Sequence, residues 1–263
     1  MNTRHILVIF LSALVFTICC IPSAQARNID IGGEIEWFQY KEPGIMKAEG
    51  LLGGAYATYD EIFTNHVALN IFLSCAGGFL HYDGKTMEGT PVEVDTPNIL
   101  IHLRTLLGYE ISCLRPFTGI GIRFLDDDLS YESDYGYERQ TTYFYSPFGM
   151  EIRKTFGNNW TIKARGEYDI FWAGLNRNVD YPLSSGNTTI ELNQDSGYGV
   201  QALCSLTHPI STSVKLVIET FFRYWDIDQS DSEFIYAQNN MIYEFFEPAN
   251  RCAVYGLHAG IQW

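Results

Sequence analysis

Residues 251–263 read R-C-A-V-Y-G-L-H-A-G-I-Q-W, and their alternating pattern indicates the fold class. Every second residue is apolar or aromatic, while the residues between are mostly small or polar. A β-strand sends successive side chains to opposite faces, so this period of two predicts a strand with one apolar face. That face comprises Ala253, Tyr255, Leu257, Ala259, Ile261 and Trp263.

The same alternation recurs along the chain and predicts nine further strands, joined by alternately short and long connections. This order predicts an all-β fold: one antiparallel up-and-down sheet of about ten strands, without a second domain. The further strands are expected near residues 29–41, 46–60, 66–82, 97–112, 117–125, 140–156, 160–173, 195–207 and 211–226. Long loops are expected at residues 83–96, 126–139, 174–194 and 227–249.

The strand at residues 160–173 shows the alternation most clearly. Trp160 and Trp172 stand at the two ends of its apolar face, and its other face carries Lys163, Arg165, Glu167 and Asp169. A soluble sandwich has no reason to bury four charges in a row, whereas a transmembrane barrel is apolar outside, polar inside and ringed by aromatic girdles. We therefore predict a transmembrane β-barrel. Its predicted girdle comprises Trp37, Trp160, Trp172 and Trp263.

The C-terminal stretch resembles the last strand of bacterial outer-membrane β-barrel proteins. In that family an aromatic last residue, alternating apolar residues and an upstream Tyr form the signal that the barrel-assembly machinery reads. The matching residues are Tyr255, Leu257, Ile261 and Trp263. Phe is the commoner last residue, so Trp263 is a mild departure. The resemblance implies outer-membrane lipid, lipopolysaccharide and the assembly machinery as partners, and the layout is similar to omptin-like and adhesin-like barrels.

The first residues of the chain have the features of an export signal. A short basic start precedes an apolar run at residues 6–21, and Ala24-Gln25-Ala26 matches a cleavage site. We expect residues 1–26 to be a signal peptide and residues 27–263 to form the barrel. The expected location is the outer membrane of a Gram-negative-type envelope, reached through the periplasm.

Composition narrows the functional classes. The formal net charge is −14, which argues against nucleic acid as a partner. The cysteines beyond the expected signal peptide have no metal-site spacing, so we expect isolated thiols. They are Cys75, Cys113, Cys204 and Cys252. No cofactor is expected.

The charged residues on the inner strand faces are balanced, with seven acidic and seven basic. A barrel of this size has a narrow interior. Two interpretations stay open: a paired ionic network that fills the lumen, or a narrow polar passage for small solutes. The predicted lumen residues are Glu34, Glu36, Arg104, Glu110, Arg123, Glu151, Arg153, Lys163, Arg165, Glu167, Asp169, Lys215, Glu219 and Arg223.

The expected outer loops are acidic. Asp126, Asp127 and Asp128 are candidate oxygen ligands for a divalent cation, although their spacing matches no EF-hand loop. The loop at residues 227–249 is rich in aromatic and aliphatic residues. This content predicts that the loop extends the strands, folds over the mouth or forms an adhesive patch.

In size and layout the predicted barrel also resembles the omptin surface proteases, which activate water with acidic residues and an Asp–His pair at the outer rim. The one histidine expected at that rim is His81, with Asp83 beside it and Asp226 and Asp228 as candidate partners across the mouth. Omptins carry their histidine on a late loop, and the late loops expected here contain none. No catalytic residue is therefore assigned beyond these candidates.

The sequence favours a non-enzymatic surface or structural barrel with ligand-binding or adhesive outer loops. A narrow porin-like channel is the first alternative, and an omptin-like surface protease is the second. The ligand, the solute and the oligomeric state stay open.

Overall fold

The computed structural model describes residues 24–85, 89–131, 136–183, 186–236 and 242–263. Most of the expected signal peptide therefore lies outside the described residues, and the first strand begins at Ala24. No described helix is long and apolar enough to cross a membrane.

Nearly all described residues belong to strands. The strands are β1 (Ala24–Glu42), β2 (Met46–Phe63), β3 (Val67–Lys85), β4 (Pro91–Tyr109), β5 (Leu114–Asp128), β6 (Glu138–Phe156), β7 (Trp160–Leu183), β8 (Gly186–Gln194), β9 (Gly197–Pro209), β10 (Lys215–Ile227), β11 (Glu233–Tyr236), β12 (Ile242–Phe245) and β13 (Asn250–Gln262). A single 3₁₀ turn, Leu129–Tyr131, follows β5.

The main sheet closes on itself. Each strand from β1 to β7 pairs antiparallel with the next, β7 pairs with β9, β9 with β10, β10 with β13, and β13 returns to β1. Strand β8 pairs with the upper part of β7 and continues into β9, so the wall has ten strand positions. The predicted ten-strand antiparallel barrel is confirmed. Each strand of the ten-strand ring has a partner on both sides, as a spanning sheet requires in lipid, and β8 adds an edge beyond the ring.

The two faces of the wall are inverted relative to a soluble protein. In β1, Ile31, Ile35 and Trp37 are 48%, 46% and 45% exposed, while Glu34 and Glu36 are 5% and 1% exposed. The alternation read from the sequence therefore places the apolar side chains outside and the charged side chains inside. This is the arrangement that a hydrocarbon surround favours.

Two of the four predicted long loops, at residues 83–96 and 174–194, are mostly strand in the described part of the chain. Strand β3 extends to Lys85, β4 begins at Pro91, and β7 pairs with β8 in an antiparallel hairpin. The last predicted loop contains the separate hairpin of β11 and β12. These segments lie beyond the apolar band, where neither face faces lipid. The hydrophobic period therefore fades although the backbone stays paired.

Substitutions at Gly32 and Gly33 test which face of β1 points into the barrel and which points out. A Cβ on Gly32 would lie 2.6 Å from the Cα of Gly260 and 2.7 Å from the ring of Tyr56, whereas a Cβ on Gly33 would come no nearer than 3.9 Å to Gly54. We expect Gly32→Ala to lower the free energy of unfolding by about 1–3 kcal/mol through overpacking. Gly33→Ala should be close to neutral. Urea unfolding in vesicles measures both, and equal effects would contradict the assigned faces.

Candidate functional site

The fourteen predicted lumen residues lie on the inner side of the wall or at its ends. Ten of them are at most 7% exposed. The other four, Glu110, Arg153, Lys163 and Lys215, are partly exposed and lie towards the end that carries the short turns. That distribution is what a charged lumen with one solvated rim produces.

The middle of the lumen holds ion pairs between distant strands. Arg104 Nη1 donates to Glu167 Oε1 at 2.6 Å and to Gln201 Oε1 at 2.7 Å. Arg223 Nη1 donates to Glu36 Oε2 at 3.4 Å. Each of these buried charges therefore has an opposite charge or a polar partner, which limits its desolvation cost.

His258 joins three strands in the same region. Its Nε2 contacts a Glu34 carboxylate oxygen, and its Nδ1 lies 3.0 Å from Glu219 Oε1. Its ring stacks on Tyr56 at a centroid distance of 4.3 Å. Lys163 Nζ lies 3.2 Å from the other oxygen of Glu219. The imidazole is held on both nitrogens and one face, so it acts as a structural bridge.

The end with the short turns has its own cluster. Arg115 Nη1 donates to Asp60 at 2.6 Å, and Arg115 Nε donates to Glu110 at 2.6 Å. Glu151 pairs with Arg153 at 2.8 Å and with Arg165 at 3.5 Å. A cavity bounded by several of these side chains has room for about one water molecule.

Two contacts span the full width of the lumen. Arg123 on β5 donates from Nη2 to Cys252 Sγ on β13 at 3.1 Å, and Arg139 on β6 donates from Nη1 to Glu42 Oε1 on β1 at 2.7 Å. In each pair, four strands separate the partners in either direction around the wall. The aromatic rings of Tyr143 and Tyr145 both contact the ring of Trp225 inside the barrel. Side chains from opposite walls therefore meet in the lumen.

Arg139 also ties the last outer loop to the barrel. Its Nη2 donates to Asp127 Oδ2 at 2.9 Å, and its Nη1 lies 3.7 Å from Glu247 Oε1. Tyr40 donates its hydroxyl to the same Glu247 oxygen at 2.9 Å. The backbone N–H of Glu247 donates to Ser230 Oγ at 2.7 Å. We call Glu42, Asp127, Arg139, Tyr40 and Glu247 the mouth cluster.

Several buried lumen residues were absent from the sequence prediction. Strand parity was a sufficient signal for Asp30, Asp60 and Trp225, because each shares a face with buried neighbours in a predicted strand. Arg115 and Arg139 lie just outside the predicted strands at residues 117–125 and 140–156, so parity did not reach them. No periodic signal marked Glu247, because it lies in a loop outside any strand. Its role depends on the tertiary contact with Arg139 and Tyr40.

The expected grouping of Asp126, Asp127 and Asp128 does not form. These residues lie in β5, where alternation sends Asp127 inward to Thr96, Asn98 and Arg139. Asp128 instead accepts hydrogen bonds from Ser130. Three successive strand residues cannot converge on one ion, and no metal-binding group occurs among the described residues.

The structure does not bring the weak catalytic candidates together. His81 and Asp83 are exposed on the outer wall, and His81 Nδ1 lies 3.0 Å from Asp95 Oδ1 on the neighbouring strand. Asp226 pairs with Arg251 at 3.2 Å, and Asp228 accepts from Ser196 at 2.6 Å. Strand parity therefore turns His81 away from the lumen, and strands β2, β1 and β13 separate it from Asp226 on β10.

The tryptophans expected in the girdle lie on the outer face or at its edge. Trp37, Trp172 and Trp263 are 45%, 51% and 46% exposed. Trp160 is half-buried because it stacks on His208 at 4.2 Å. The four residues of the expected assembly signal also line the outside: Tyr255, Leu257, Ile261 and Trp263. The four described cysteines carry free thiols.

Comparison with known proteins identifies the fold. No protein-family profile and no curated protein matches the chain. Among solved structures it is similar to the outer membrane protease OmpT from Escherichia coli, with a TM-score of 0.54, 10% identity, and coverage of 93% of this chain and 99% of that chain. It also matches the translocator domain of the autotransporter NalP from Neisseria meningitidis, with a TM-score of 0.42, 9% identity, and coverage of 97% and 95%. The chain therefore has the fold of bacterial outer-membrane β-barrels.

Glu247 makes the mouth cluster sensitive to pH. Burial raises its pKa to about 7; Arg139 opposes this rise, and the neighbouring carboxylate of Glu42 adds to it. At pH values between the ordinary pKa of a glutamate and 7, the Glu247 carboxyl stays protonated when the loop is docked and is ionised when the loop is undocked. Docking therefore weakens as pH rises through that window and is strongest below it.

We expect amide hydrogen exchange in residues 242–249, corrected for the intrinsic rate, to increase from pH 5 to pH 8. Glu247→Gln should abolish this increase, because the amide does not titrate. Glu244→Gln, at an exposed position in β12, is the matched control and should keep it. An unchanged pH response in Glu247→Gln would contradict the role of Glu247.

Proposed function

We propose that this chain is a sealed surface barrel of the bacterial outer membrane that acts through its outer segments as a binding or adhesive protein. The observation that carries the proposal is the pair of contacts across the full lumen, Arg123 to Cys252 and Arg139 to Glu42. A barrel whose opposite walls touch at two levels leaves no continuous path for solutes. Its function then belongs to the surfaces outside the membrane.

The hairpin of β11 and β12 is the best candidate for the binding element. Phe234 and Ile242 share its free face and are 53% and 57% exposed, and Phe246 just beyond is 42% exposed. The opposite face packs Phe245 and Ile235 into a small apolar core with Ile190, Leu192 and Tyr181. The hairpin is therefore supported from below while its upper face keeps apolar side chains in water. Such patches outside the lipid band are typical of interaction sites.

The mouth cluster favours this reading over a protease. Its carboxylates from Glu42, Asp127 and Glu247 surround the guanidinium of Arg139, so they serve as ion-pair partners. His81 pairs with Asp95 on the outer wall. OmpT is a protease by its name, but at 10% identity the likeness extends to the fold alone.

The apolar outer surface of the barrel supports the proposed location in the outer membrane. An apolar wall suits membrane lipid, and the exposed Tyr255, Leu257, Ile261 and Trp263 are available to the barrel-assembly machinery. The short connections at residues 64–66, 157–159 and 210–214 would face the periplasm, as in outer-membrane barrels generally. The end that carries the hairpin would then face the medium.

An adherence assay tests the hairpin directly. Bacteria displaying the wild-type chain are compared with the triple variant Phe234→Ser, Ile242→Ser and Phe246→Ser on surfaces coated with fibronectin, collagen or mucin. We expect adherence to at least one coating, reduced about ten-fold or more in the triple variant because buried aromatic and aliphatic anchors dominate binding energy. The matched control, Glu233→Gln with Glu244→Gln on the same hairpin, should retain it. Equal adherence of wild type and triple variant would refute the hairpin's role.

A further inference from the structure

The free face of the hairpin of β11 and β12 combines exposed apolar side chains with carboxylates that have no cationic partner among the described residues. We propose that this face binds a basic amphipathic polypeptide, in which Lys or Arg side chains lie beside aliphatic or aromatic ones. The proposal rests on the proposed function, because it names the class of partner that the same hairpin binds.

The exposed face has an alternating apolar and acidic pattern. Ile242 and Glu244 on β12, and Phe246 just beyond it, are exposed at alternate positions, while Phe245 between them is buried. Phe234 on β11 is directly opposite Glu244. Alternate residues of a strand are about 7 Å apart, and directly paired residues have Cβ atoms about 5 Å apart. The Glu244 carboxylate is therefore flanked by three exposed apolar side chains.

The exposed carboxylates on and beside the hairpin keep their negative charge. Glu244 Oε1 accepts a hydrogen bond from Ser232 Oγ at 2.7 Å, and Asp228 Oδ2 accepts one from Ser196 Oγ at 2.6 Å. These donors are neutral, so the charge of each carboxylate is not offset. Within the described ranges, no ion pair involves any of the five exposed carboxylates on the hairpin or beside its base: Asp195, Asp228, Asp231, Glu233 and Glu244.

The sequence around the hairpin supplies no counter-charge. Residues 226–250 include six acidic residues and no Lys, Arg or His, and residues 178–198 include three acidic residues and again no basic one. Arg251, just beyond the first segment, already pairs with Asp226 at 3.2 Å. The electrostatic potential around the hairpin is therefore negative, and such a potential attracts and steers a ligand of opposite charge.

Charge disfavours the other possible occupants of this face. A second copy of the chain would place its own carboxylates against the same carboxylates, and a polyanion such as a sulfated glycan would meet the same repulsion. A neutral apolar segment would cover Phe234 and Ile242, but it would also remove water from the Glu244 carboxylate without pairing it.

A basic amphipathic segment avoids these costs. The aliphatic stem of a Lys or Arg side chain packs on apolar groups while its charged head reaches a carboxylate. Charge-assisted hydrogen bonds to that head are stronger than bonds between neutral groups. Neighbouring apolar side chains of the same segment cover Phe234, Ile242 and Phe246. The face therefore suits a polypeptide that offers both kinds of side chain together.

Binding of synthetic peptides to the refolded chain tests the class of partner. The protein is held in nanodiscs of uncharged phosphatidylcholine, and fluorescence anisotropy follows three labelled peptides of equal length and equal Leu content, whose other residues are all Lys, all Gln or all Glu. We expect the Lys peptide to bind about ten-fold or more tightly than the Gln peptide, because several exposed ion pairs form, and the Glu peptide not to bind. The preference for Lys should vanish in about 1 M salt, where the Debye length is about 3 Å.

Carboxylate variants locate the attracting charge. Each neutralised carboxylate should weaken binding of the Lys peptide about two-fold, so E233Q/E244Q should weaken it about four-fold. Adherence through many copies tolerates a change of that size. A triple variant beside the hairpin base should weaken the Lys peptide about eight-fold and leave the Gln peptide unaffected; it is D195N/D228N/D231N. The matched control neutralises three exposed carboxylates on β3 and β4 and should change binding less than about two-fold; it is D83N/E93Q/D95N.

The outcomes separate the class of partner from the role of the hairpin. Equal binding of the Lys and Gln peptides, or equal effects of the two triple carboxylate variants, would overturn the basic class while the adhesive role stands. Unchanged Lys-peptide binding in F234S/I242S/F246S, or no Lys-peptide binding to the folded wild type, would also overturn the proposal. Hairpin-dependent peptide binding with unchanged bacterial adherence would instead refute the adhesive role alone. A heat-sensitive gel shift verifies folding of each variant. If the base variant does not fold, unchanged Lys-peptide binding by E233Q/E244Q would overturn the proposal.

Discussion

The structure depends on one constraint: a closed wall of ten strands is narrow enough for side chains on opposite strands to touch. Closure satisfies the backbone of a sheet that spans lipid, and the lipid in turn requires an apolar outer face. The charged side chains of the spanning strands are then directed inward by strand parity. Inside so narrow a ring they meet, which is why Arg123 reaches Cys252 and Arg139 reaches Glu42.

The lumen is consequently a polar core. Its ion pairs take the place that aliphatic packing has in a soluble protein, and aromatic rings such as those of Tyr145 and Trp225 pack against one another among them. Removing one partner of a buried pair leaves an uncompensated charge, so each pair is costly to break. Under the proposed function, the surfaces available for binding are the outer hairpin and the mouth cluster.

Much of the fold was predictable because lipid enforces a strict period of two. Arg104 and Glu167 were assigned to the lumen from parity alone, and the structure pairs them at 2.6 Å. Outside the lipid the same rule lost its signal, so residues 174–194 were expected to form a loop and are largely strand. Alternation also places Asp126 and Asp127 on opposite faces of β5, so their adjacency in the sequence does not make them ligands of one ion. Glu247 could not be found from sequence, because its burial is created by strands distant in the chain.

The central claim is that the lumen is sealed, and the most direct test is electrical. The mature chain is refolded, its folding verified by a heat-sensitive gel shift, and single-channel current is recorded in a planar bilayer. A sealed lumen predicts a silent bilayer, because the contacts of Arg123 and Arg139 cross the lumen at two levels. Discrete, reproducible conductance steps from the wild-type chain would contradict it and establish a channel.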